Sequence, residues 1–116
     1  MKENGDEGRK GGMPAGEAVE LKALVEYQPG AIVSREIART KGGTATLFAF
    51  EAGQGLSEHT APFDAIITVL EGEAEVTVGG KPASPKAGQA LLMPANVPHA
   101  VRAEVRFKML LLMLRD

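Results

Sequence analysis

Residues 65–80, AIITVLEGEAEVTVGG, decide the fold class. Ala65–Leu70 is a β-branched run too short for a helix. Glu71-Gly72 turns it into Glu73–Val78, where polar and apolar side chains alternate as they do on a half-buried strand. Gly79-Gly80 follows as the strongest hairpin signal in the chain, because a two-residue loop of this type needs left-handed φ that glycine adopts without strain. The same grammar extends outward. Upstream, Ile32–Arg39 sets Ile32, Ser34, Glu36 and Ala38 on one face and Val33, Arg35, Ile37 and Arg39 on the other. Gly42-Gly43 marks the turn into Thr44–Glu51. Downstream, short strands are expected around Ala83, at Ala90–Met93, at His99–Ala103 and from Val105 to Leu114. Turn signals at intervals of roughly eight to twelve residues, with no long helical period, predict an all-β sandwich or barrel.

The chain has 116 residues, enough for one core and too few for two. Residues 1–12, MKENGDEGRKGG, hold almost nothing to bury and are expected to form a disordered tail, leaving 13–116 as the single domain. Between them and the first strand, Glu17–Glu26 carries Val19, Leu21, Leu24 and Val25. A turn or two of helix is expected there before Pro29 and Gly30 end it. Thirteen Lys+Arg against fifteen Asp+Glu leave a net charge of −2, which supplies no basic footprint for nucleic acid. The absence of cysteine excludes a disulfide framework, thiolate metal ligands and a cysteine nucleophile. Met109–Leu114, the longest apolar run, is far shorter than the ~20 residues of a membrane span, and 1–12 has no apolar signal-peptide core. A soluble cytoplasmic protein is the expectation. With four Phe, one Tyr and no Trp, the core must be largely aliphatic.

The chain has only two histidines, and their surroundings carry a resemblance. Gly53-Gln54-Gly55-Leu56-Ser57-Glu58-His59-Thr60-Ala61, followed by Leu70-Glu71-Gly72, resembles the first cupin motif, G-x5-H-x-H-x3-4-E-x6-G. Gly88 to His99, GQALLMPANVPH, resembles the second, G-x5-P-x-G-x2-H-x3-N. The resemblance covers roughly residues 45–104 and implies an antiparallel double-stranded β-helix, the jelly-roll barrel of the cupins, with a short N-terminal helical turn. In that family, histidines and a glutamate commonly hold one divalent metal inside the barrel. Carried over, the ligand positions fall on His59, Ala61, Ala65 and His99, so two of the four have lost their donor. The second motif's glycine is Asn96 and its final asparagine is Ala103. Asp64 adjoins the missing glutamate position, but strand parity points it outward unless Pro62-Phe63 shifts the register. Glu58 and Glu104 are set aside by the same parity.

His59 and His99 are therefore the expected polar groups of an otherwise aliphatic pocket that also includes Ala61 and Ala65. Two imidazoles leave a tetrahedral ion short of protein ligands. A weakly bound divalent metal (zinc, iron, manganese or nickel) on His59 and His99 is the candidate cofactor. The preferred function is a module binding a small organic molecule. A metal-dependent cupin enzyme of dioxygenase or isomerase type using the same histidines is the alternative, and a structural role with a vestigial pocket is a third. Ser57 has no base near it in sequence, and Met93 and Met109 are expected to fill the core. A homodimer is also expected. If Val105, Phe107, Met109, Leu111 and Met113 face inward, the opposite face begins with Arg106 and Lys108 and then becomes Leu110, Leu112 and Leu114. A strand apolar on both faces is normally covered on both. Either a second barrel, which the resemblance favours, or the segment with Leu21, Leu24 and Val25 would cover it.

Overall fold

The computed structural model describes residues 12–115. Among them run nine strands: β1 (Ile32–Thr40), β2 (Gly43–Phe50), β3 (Gly55–His59), β4 (Asp64–Glu71), β5 (Glu75–Val78), β6 (Lys81–Ala83), β7 (Ala90–Met93), β8 (His99–Arg102) and β9 (Phe107–Leu114). They form a five-stranded sheet, β1-β2-β9-β4-β7, and a four-stranded sheet, β3-β8-β5-β6, with antiparallel pairing throughout. The expected all-β jelly-roll architecture is what these residues adopt. The β5–β6 hairpin turns at Gly79 and Gly80, with φ of 57° and 82°, as a primed two-residue loop demands. The expected tail 1–12 lies outside the described residues except for Gly12. No helix among the described residues is long and apolar enough to cross a membrane.

The inner faces of the two sheets meet in one core. Phe50, Ala65, Ile67, Val69, Ala74, Val76, Met93, Val101, Ala103, Phe107 and Met109 are buried there. The alternation read along the last strand holds from Phe107, with Phe107 and Met109 in the core and Leu111 and Met113 packed against it, whereas Val105, expected to begin the same face, precedes the strand and is exposed. Phe50 and Phe107 stack with ring centroids 4.6 Å apart.

The outer face of the five-stranded sheet is covered in part by the N-terminal segment. Its helical element shrinks to a single 3-10 turn, Leu21–Leu24. Val25 is buried beside Ile37, Leu47 and Ala49, with Leu21, Leu24, Tyr27, Leu70 and Leu110 packed around them. Polar clips hold this arm down. Arg35 donates to the carbonyls of Leu24 (3.0 Å) and Gly12 (3.1 Å), and Lys108 Nζ donates to that of Lys22 (2.7 Å). Lys108, expected on a solvated surface, is thus buried at 9% exposure. The arm is the cause, since it brings a carbonyl and the Tyr27 ring, 5.0 Å from Nζ, to meet the ammonium.

Tyr27 donates to Glu71 Oε2 at 2.7 Å. Burial, and then this bond to a carboxylate, hold its phenol proton well above the ordinary tyrosine range. A raised folded-state pKa stabilises below the unfolded value and is lost as pH climbs through the folded one. Stability should therefore fall as pH rises beyond the free-phenol value near ~10, through a contribution that Tyr27→Phe lacks. Urea unfolding of both proteins at neutral and alkaline pH checks this. The variant should lose about 1 kcal/mol at neutral pH and show the shallower alkaline decline.

Candidate functional site

β3 and β8 are neighbours, and His59 and His99 are paired directly across them, with Val78 of β5 completing the row. The imidazole centroids lie 4.4 Å apart with the rings inclined at 73°. His99 is buried at 5% exposure, on the same inward face as Val101, whereas His59 is exposed. One ring is thus walled in and the other stands where solvent reaches.

Each ring is steered by its own chain. His59 Nδ1 is 2.8 Å from the Ser57 carbonyl, and His99 Nδ1 is 3.1 Å from that of Val97. A carbonyl only accepts, so each Nδ1 carries a hydrogen and donates it. In the neutral ring this leaves the lone pair on Nε2. The pair accordingly presents two acceptors from fixed rings.

A local irregularity makes the pairing possible. Leu56 opposes Val101 and His59 opposes His99, so three steps on β3 match two on β8. This bulge brings Leu56 and His59 to one face although their spacing is odd. β3 ends at His59, and Ala61 lies beyond it. Ala61 is half-buried in the following loop, and its carbonyl accepts from Asn96 N at 2.7 Å. Ala65, by contrast, is buried in the core between Met93 and Met113.

That loop contact explains one departure from the second motif. Asn96 has φ of 64° in the turn closed by Val97 N donating to the Pro94 carbonyl. Left-handed φ is glycine's territory, and asparagine is among the few other residues that enter it readily.

The donor set does not fit a resident metal ion. Among the described residues no group of three or more histidine, cysteine, aspartate or glutamate side chains converges. Asp64 is exposed, and its Oδ1 accepts from Ala95 N at 2.9 Å, bracing the turn after β7. Glu104 is engaged by Arg102 at 3.1 Å. Ser57 enters the site through its carbonyl, with its hydroxyl unused.

Sequence reasoning missed one residue. Thr44 of β2 is buried at 6% exposure, and its Oγ1 has no hydrogen-bond partner. It shares the inner face with Met113, Ala65 and Met93, the next residues in its row across the sheet. A buried hydroxyl without a partner is costly, roughly 1–3 kcal/mol. Its signal in the sequence was weak, because Thr46 stands on the same inward face of β2, ahead of Phe48 and Phe50. A cavity of about 600 Å³, lined by Pro62, Phe63, Asp64, Ala95, Leu114 and Arg115, opens at the outward-facing Asp64 and not over the imidazoles.

Comparison with known proteins follows the same lines. The cupin-domain family model matches residues 46–114. No curated protein matches the chain. Among solved structures, a conserved protein of unknown function from Streptococcus pyogenes superposes with a TM-score of 0.85 at 30% identity, covering 90% of this chain and 91% of that one. A cupin 2 conserved barrel domain protein from Leptotrichia buccalis is 44% identical with a TM-score of 0.79. The match covers 81% of this chain and only 46% of that one. A cupin superfamily protein from Desulfitobacterium hafniense gives 0.84 at 29% identity over 90% and 95% of the two chains. With its paired sheets, its two motif histidines facing each other and a family match across most of the strands, the chain belongs to the cupin family.

Proposed function

We propose that this cupin binds a small organic molecule through the His59–His99 pair. The observation that carries the reading is that both rings are anchored through Nδ1 to backbone carbonyls, 4.4 Å apart, with both Nε2 atoms left for a guest. Two ring acceptors side by side favour a ligand with hydrogen-bond donors, such as neighbouring hydroxyls or an ammonium group. The apolar side chains of Phe48, Leu56, Val78, Leu91, Leu111 and Met113 are only partly buried, and on this reading they are the apolar wall that a small-molecule pocket uses. A divalent ion meeting the two imidazoles would draw its remaining ligands from water or the guest, so retention by the protein alone should be weak.

The test combines metal content with ligand-induced stabilisation. Protein purified without a nickel column and dialysed against chelator should retain far less than one equivalent of zinc, iron, manganese or nickel. In a thermal-shift panel of sugars, polyols and small amines, a binder present at about 100 times its Kd stabilises by about 2.7 kcal/mol, which raises Tm by roughly 10 °C. His59→Ala should abolish that shift while leaving the ligand-free Tm nearly unchanged, since the ring is exposed. A stoichiometric, chelator-resistant metal would replace this reading with the metal-dependent enzyme. Shifts that survive in both His59→Ala and His99→Ala would place the ligand elsewhere.

A further inference from the structure

Strand pairing sets Thr44, Met113, Ala65 and Met93 in one inward row across β2, β9, β4 and β7. Two crossovers join the sheets at this end. Residues 60–63 lead from His59 to β4, and residues 94–98 lead from β7 to His99. Asn96 N ties the two loops by donating to the Ala61 carbonyl at 2.7 Å. The row therefore lies at the same end of the barrel as the inward His59–His99–Val78 row of the other sheet, across the roughly 10 Å between packed sheets. Thr44 is 6% exposed and its Oγ1 has no partner. Its neighbour on β1, Arg39, does not supply one, since the guanidinium is taken by Glu36 through two bonds of 2.7 and 2.9 Å. At Ala65, where the cupin motif has glutamate, the row has a methyl group. Its buried polar atom stands two strands away instead, roughly 10 Å along the sheet.

We infer that Thr44 sets the specificity of the pocket: its hydroxyl meets a hydroxyl of the guest on the side away from the histidines, and so selects a polyhydroxy compound over a simple amine or a 1,2-diol. The inference rests on the histidine-pair reading above. Valine would fill the same place on a strand without a buried hydroxyl. The unpaired hydroxyl destabilises the empty protein, and a guest hydroxyl relieves that on binding. It is also a filter. A guest without the matching group leaves Thr44 unpaired, and a site built to hydrogen-bond a hydroxyl discriminates strongly against analogues that lack it. The histidines alone cannot make this choice, because two adjacent Nε2 acceptors are satisfied by any pair of neighbouring donors. The threonine hydroxyl both donates and accepts, which complements the acceptor pair. Met113 and Met93 share its row, and their unbranched thioethers can repack around a guest.

Titrations followed by the imidazole 15N signals test it, since two histidines give an uncrowded spectrum. The probes are erythritol, xylitol and sorbitol, the 1,2-diols of butane, pentane and hexane, and n-butylamine. The diols keep the neighbouring hydroxyls and lack the distant ones. Wild type should bind its best polyol roughly 10-fold more tightly than the diol of equal length, as one added hydrogen bond to a buried group implies. Thr44→Val should cut that ratio at least about 5-fold, leave the diol Kd unchanged, and leave the Tm of the empty protein equal or higher. Thr44→Ser, which restores the hydroxyl, should keep the preference. A ratio unchanged in Thr44→Val overturns the inference alone. So does a clearly lower Tm for empty Thr44→Val, which would show the hydroxyl serving the empty protein through a buried water. Imidazole shifts with n-butylamine and with no polyol keep the histidine reading and overturn the inference. Silence with all seven compounds overturns both.

Discussion

Phe107→Ala should cost about 3–5 kcal/mol of folding stability, a large share of the roughly 5–15 kcal/mol that holds a domain together. Phe107 is fully buried and lies nearly parallel to Phe50, at 4.6 Å and 11°. The chain has four phenylalanines, and two are spent in this one stack. The shared core includes Ala65, Ile67, Val69 and Val76, small or β-branched side chains with little freedom to fill the void. Phe107 also begins β9, the strand between β2 and β4, so a cavity there loosens both long-range strand pairings that hold it. Urea unfolding should show a midpoint lower by about 2–3 M, given a slope near 1–2 kcal/mol/M for a chain this size. Phe107→Leu should recover at least half of the loss. Equal losses for both substitutions would show that stacking, and not volume, dominates.

Gly72→Ala should come next, at about 3 kcal/mol or more. Gly72 has φ of 77°, and a Cβ there would run into the Arg106 carbonyl oxygen and sit 3.0 Å from Phe107 Cα. The clash is with backbone, so no side-chain rotation relieves it. Gly80 offers a control with nearly the same strain, φ of 82°, and nothing within 4 Å of its would-be Cβ. Gly80→Ala should therefore cost only the left-handed penalty of about 1 kcal/mol. Thermal unfolding of the two variants separates conformational strain from close approach. If they prove equally destabilised, the crossing of β9 under the β4–β5 turn is not what requires glycine at 72.

The site was legible to different depths. The spacing of the two motifs located both histidines, and the inward reading of Ala65 agrees with its burial in the core. Parity also pointed Asp64 outward, where it braces the turn after β7 through Ala95 N. Ala61 lies past the end of β3, in the loop before β4, where a two-residue strand period carries no information. Lys108 was misplaced for a related reason. Its exposure depends on an arm more than eighty residues earlier in the chain, through the contact with the Lys22 carbonyl, and no window around Lys108 contains that partner.

By itself the sequence determined the elements, because alternation and left-handed turns are settled between near neighbours. The Gly79-Gly80 hairpin, the edges of β7 and the inward run of β9 are all of this kind. Tertiary structure alone decided what depends on strands distant in the chain. The insertion of β9 between β2 and β4 set Leu112 beside Ile66 and Ala45, and the β3 bulge turned His59 toward His99. Backbone hydrogen bonding between strands is indifferent to side-chain identity, so register is chosen by the packing of both sheets together, and that information is spread over the whole chain.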